Sequence, residues 1–95
     1  MDEKNAYEKK LEAQLDEWKA DIRKLQAKAE QAEADARIKY REQLKDLEEH
    51  QRQAQSKLQE LSKAQGEAWH DVKSGVEKAW DDLSESMKRA YNRFG

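Results

Sequence analysis

Residues 66–95 read GEAWHDVKSGVEKAWDDLSESMKRAYNRFG, a stretch that repeats itself at intervals of eleven residues. Ala68 and Trp69, with Val72 and Val76, are followed in register by Ala79 and Trp80 with Leu83 and Met87, then by Ala90 and Tyr91 with Phe94. Eleven residues make three helical turns at about 3.67 residues each, so Trp69, Trp80 and Tyr91 fall almost in line. The spacing predicts an amphipathic helix with an interaction face of Trp69, Val72, Val76, Trp80, Leu83, Met87, Tyr91 and Phe94. What that face meets, a helix or a membrane surface, is the functional question.

Upstream, proline is absent and the first glycine is Gly66, so nothing before it offers a cheap turn. One long helix is the economical reading. Asn5 with Glu8 three residues on fits a capping box, which starts the helix there. Leu11, Leu15, Trp18, Ile22, Leu25, Ala29, Ala32 and Ala36 follow in alternating steps of four and three, as a heptad seam requires. The seam narrows to alanine over residues 27–36, good helix formers that bury little area. It runs on through Tyr40, Leu44 and Leu47, where longer steps unwind a left-handed supercoil, and then through Gln51, Ala54, Leu58, Leu61, Gln65 and Ala68. A self-association seam of Leu11, Leu15, Trp18, Ile22, Leu25, Leu44, Leu47, Leu58 and Leu61 is the expectation.

The predicted fold class is all-α. Residues 1–65 form a long, nearly continuous coiled-coil helix, and residues 66–95 an amphipathic helical tail. Gly66 and Gly75 each sit near a serine that has Gln or Glu three residues on, a capping pattern, so both are candidate breaks. A glycine inside a helix costs only about 1 kcal/mol relative to alanine. A hinge or bend at Gly66 is therefore expected, with a fold-back as the alternative.

Charged residues make up 42% of the chain, and acids and bases interleave along its length to a net charge of -2. That balance points to neither nucleic acid nor a strongly anionic surface. Glu33 with Arg37, Asp35 with Lys39, and Glu48 with Arg52 are acid-first pairs four apart, each worth about 0.2–0.5 kcal/mol on a solvated face. With no cysteine there is no disulfide or thiolate chemistry. The first residues lead into no apolar run, so neither a signal peptide nor a transmembrane helix is expected, and a cytoplasmic location is the default.

Candidate chemistry is sparse. Glu67 and His70 match the Glu-x-x-His pair of di-iron bundles, but the pair occurs once and lies opposite the apolar face, so both should point to water. His50 lies four after Asp46, two ligands at most, and reads as an exposed histidine. The serines sit in no nucleophile context, and three glycines leave no phosphate loop. An enzyme, a cofactor, a metal and a small-molecule substrate are all unexpected.

At residues 66–83, GEAWHDVKSGVEKAWDDL, the chain resembles the small bacterial coiled-coil proteins classed as a stress-response family. Residues 5–11, NAYEKKL, with Trp18 and the alanine-rich middle, are similar to that family too, so the resemblance covers most of the chain. It implies a soluble helical protein linked to stress and carries over no catalytic residue. The eleven-residue spacing is also similar to that of apolipoprotein-like and desiccation-protectant helices. The expectation is a non-enzymatic structural or interaction protein, a homo-oligomer, with reversible membrane-surface or lipid binding by the tail as the alternative.

Overall fold

The computed structural model describes residues 3–94, with the backbone alone at 94. They form three helices, α1 (Glu3–Gln31), α2 (Ala34–Lys63) and α3 (Ala68–Phe94). Lys4 lies against Ala64, and Gln26 against Glu48, so α1 and α2 are antiparallel. Asp46 lies against Ser86, and Lys57 against Gly75, so α2 and α3 are antiparallel as well. The result is an up-down-up bundle measuring 51 × 18 × 18 Å.

The all-α class is as predicted; the long continuous helix is not. The chain reverses at Ala32 and Glu33, inside the run expected to be the best-formed helix. Ala32 N–H closes a tight last turn on Ala29 carbonyl at 3.2 Å, and Glu33 takes an extended conformation, φ -66° and ψ 160°. Arg37 Nη2 donates to the carbonyls of Glu30 at 3.4 Å and Ala32 at 3.2 Å, so a cation closes the negative end of α1. The physical reason for the turn is distant. A straight helix would leave the Leu11–Leu25 seam in water, whereas the reversal lays it against Leu44, Leu47, Leu58 and Leu61.

At the second connection the fold-back prevails over the bend. α2 ends at Lys63, Ala64 N–H is shared by the carbonyls of Glu60 and Leu61, and Gly66 turns the chain with φ +58°, a left-handed conformation that a side chain would strain. Lys4 Nζ reaches across from α1 to the carbonyls of Ser62 at 3.2 Å and Ala64 at 2.6 Å. Both interior helix ends thus receive a basic side chain from elsewhere in the chain. Gly75, the other candidate break, is uninterrupted helix, and a Cβ there would meet only the Lys57 stem at ordinary contact distance, 3.8 Å.

The division at residue 65 gives way to one core. Leu11, Leu15, Ile22, Leu25 and Ala29 from α1 share a cluster with Leu44, Leu47, Ala54, Leu58 and Leu61 from α2, and with Trp69, Val76, Trp80, Leu83, Met87 and Ala90 from α3. Asn5 and Glu8 are no capping box, because α1 already begins at Glu3; Glu8 instead pairs with Lys4 at 3.6 Å.

Candidate functional site

The two sequence-predicted faces meet each other. Every leucine and isoleucine of the α1 and α2 seam is buried, and Trp18 is half-buried against the same core. On α3, Trp69, Val76, Trp80, Leu83 and Met87 are buried and Val72 packs partly against them. The eleven-residue register thus holds through two repeats. In the third, Ala90 is buried but Tyr91 stands 46% exposed, and the Phe94 side chain lies outside the described residues.

Aromatic pairs join α1 to α3. Tyr7 meets Trp69 with ring centroids 6.2 Å apart, and Trp18 meets Trp80 at 6.3 Å. The two contacts lie eleven residues apart on both helices, so the repeat of α3 is matched by an equal spacing on α1. Lys73 Nζ sits 5.2 Å from the Tyr7 ring and 5.9 Å from the Trp69 ring, a cation held against two π faces. Burial, and then the nearby Glu77 carboxylate, raise the Tyr7 phenol above its ordinary pKa. Trp80 Nε1 is buried and has no hydrogen-bond partner, an uncompensated donor beside Trp18.

The polar groups between α2 and α3 gather on Asp46. Its Oδ2 accepts from Ser86 Oγ at 3.1 Å and lies 3.5 Å from Arg89 Nη2, while its Oδ1 lies 3.6 Å from His50 Nε2. The residue types suggest a hydrolase triad, but the order is wrong for one. Asp46 stands between Ser86 and His50, so the imidazole does not touch the hydroxyl, and Ser86 is 0% exposed and beyond the reach of a substrate. The cluster instead gives a hydrogen-bond acceptor to a serine that α3 buries among apolar neighbours. His50 is half-buried, not exposed as expected, and its Nδ1 has no partner.

Other candidates separate in the same way. Glu67 and His70 do stand in water, paired at 3.3 Å. Among the described residues no three carboxylate or imidazole groups converge on a metal position. Of the surface pairs expected on helices, Arg37 is drawn to the α1 carbonyls, Arg52 pairs with Glu49, and Glu48 accepts from Gln26 Nε2 at 2.6 Å. Arg52 holds the Glu49 carboxyl below its ordinary range by hydrogen bond and charge. A groove between α2 and α3 is lined by Lys57, Glu60, Lys63, Asp71, Val72 and Gly75, whose opposed charges select no one ligand.

Sequence reasoning missed the turn at Ala32, the two basic caps and the Asp46 cluster. Ser86 carried a signal, since it falls beside Leu83, Met87 and Ala90 on the apolar face and so had to find an acceptor. Lys4 and Arg37 carried none, for nothing local distinguishes them from other surface cations. No described helix is long and apolar enough to cross a membrane. No family model, curated protein or solved structure matches the chain.

Proposed function

We propose that this chain is a non-catalytic structural and interaction protein that works through helix-to-helix contact and self-associates, in the stress setting that its family resemblance implies. The observation that supports this reading is the mutual fit of its own faces. The α1 seam packs against α2 and α3 along most of its length, and a surface that fits its own chain fits an identical one equally well. Sedimentation velocity across a range from micromolar to millimolar protein tests it, with a concentration-dependent rise from monomer to dimer as the expected result. A single monomer species throughout would defeat the reading.

The lipid alternative has one observation in its favour. Trp80 Nε1 is an unpaired donor in the closed bundle, and an indole at a membrane boundary would find water or a headgroup oxygen. Reaching a membrane would require α3 to leave a face on which Val76, Leu83 and Ala90 are fully covered. Flotation with neutral and anionic liposomes separates the readings: co-flotation favours lipid binding, and protein remaining at the bottom of the gradient favours helix contact alone.

A further inference from the structure

The α1–α2 turn differs from the α2–α3 turn in one respect that bears on how two copies would join. The second turn is four residues long and relies on the left-handed Gly66. The first is two residues long, has no glycine, and places no residue at positive φ. Glu33 already has a helical φ of -66°; only its ψ of 160° departs from the helix. Its side chain makes no cap hydrogen bond to the first turn of α2. Ala32 itself and the flanking Ala29, Ala34 and Ala36 are the best helix formers available.

We infer that Ala32–Glu33 is a hinge that straightens, and that the protein self-associates by exchanging α1 between two copies. This deepens the self-association reading and rests on it. Straightened, residues 3–63 become one helix of about 90 Å at 1.5 Å per residue. Two such helices run antiparallel about a two-fold axis at the hinge, and each α1 occupies on the partner copy the place it leaves on its own α2 and α3. Every contact of α1 is then reproduced between chains, including Lys4 on the Ser62 and Ala64 carbonyls and Trp18 on Trp80.

Two further observations fit the exchange. The seam stays in phase through the turn, with Ala29, Ala32 and Ala36 three and four apart, so at the axis the helices would meet through small side chains that permit close approach. The large apolar side chains left exposed among the described residues, Ile38 at 61% and Tyr91, both lie toward the hinge end of the bundle. In the closed monomer Ile38 faces water and Tyr91 is half exposed beside Asp21; in the exchanged dimer the partner's bundle continues from that end. Straightening releases Arg37 from carbonyls that then bond within the helix, and it frees a guanidinium whose Nε is buried without a partner.

One substitution separates closed from straight. Ala34 is the first residue of α2, where proline is favoured and its missing N–H costs nothing, and the extended Glu33 before it suits a proline. In the straight helix the same proline is interior, so Ala34→Pro should weaken dimerisation about a hundredfold or more while leaving the monomer's helicity intact. Arg37→Ala removes the cap of the closed turn and should raise the dimer share. The chain has no cysteine, so a disulfide reports the geometry directly: Lys19 and Gln55 line one groove between α1 and α2. Chains carrying Lys19→Cys, mixed with chains carrying Gln55→Cys and oxidised at high concentration, should cross-link to each other.

The expected result is a mixed disulfide dimer in the otherwise unchanged sequence, lost on adding Ala34→Pro. A dimer that forms without the mixed disulfide, or that Ala34→Pro does not weaken, would overturn the exchange and leave self-association standing. Monomer at every concentration would overturn both. Should Ala34→Pro fail to fold, the cross-link in the unchanged background decides by itself.

Discussion

The two described glycines carry opposite obligations. A Cβ added at Gly66, where φ is +58°, would have nothing within 4 Å of it, so Gly66→Ala meets no clash and its cost is that of the left-handed backbone, about 1–2 kcal/mol. Gly75 is helical with room for a Cβ, so Gly75→Ala should stabilise by about 0.5–1 kcal/mol. Thermal unfolding of the two variants should move the midpoint in opposite directions. Tyr91 gives the protein a pH dependence. Burial, and then the Asp21 carboxylate as hydrogen-bond acceptor and as a negative charge, push its phenol up to about 12 from 10.0. A pKa raised in the folded state adds stability that is fully present below pH 10.0 and is lost as pH rises through about 12. Tyr91→Phe should therefore flatten the alkaline limb of a stability-against-pH curve and lower its neutral plateau by the lost Asp21 hydrogen bond. A limb unchanged by the substitution would count against the Asp21 contact.

At the scale of elements, α3 is held mainly by packing, with Asp46 and Asp21 supplying its polar contacts to α2 and α1. Trp80 is 7% exposed and its indole N–H bonds to nothing, so shape and area carry its contribution. Trp80→Ala should cost about 3–5 kcal/mol, whereas Trp80→Phe, which loses no hydrogen bond and leaves a smaller cavity, should cost clearly less. With Trp18 and Trp69 replaced by phenylalanine, the remaining Trp80 emission should already be blue-shifted in buffer without lipid. Red-shifted emission there would mean that α3 leaves the bundle in solution. The helix ends follow a different rule. α1 and α2 both finish on carbonyls that have no further turn to bond to, and each is served by a cation from another segment, Arg37 and Lys4.

At the scale of the whole molecule, the choice is between folded and straight. The closed chain has a Cα radius of gyration of 15.3 Å and a long dimension of 51 Å. Small-angle scattering from dilute protein should show that compact particle, and the maximum dimension should lengthen toward about 90 Å or more only where dimer forms, because a straight helix of residues 3–63 has that length. A long particle at monomer mass would contradict the bundle. The balance between the two forms is set at few residues, since the core contacts are the same in both and only the hinge differs.

The sequence by itself determined the class and the faces. Helical periodicity is a local property, so the seam from Leu11 to Leu61 and the eleven-residue face from Trp69 to Met87 could be read residue by residue, and both are buried but for Trp18 and Val72, which are partly so. Gly66 was legible as a candidate break, expected as a bend, but so was Gly75, which is helix; the left-handed φ of Gly66 makes it a reversal. Only the tertiary structure decided the turn at Ala32–Glu33. Its alanines and glutamates are good helix formers, and they yield because the reversal brings Leu11, Leu15, Ile22 and Leu25 to apolar partners on α2 that lie far along the chain. The same holds for Lys4 on the Ala64 carbonyl and Ser86 on Asp46. Each is a contact between residues far apart in the chain, so no local pattern specifies its partner; the burial of the apolar faces brings the two together.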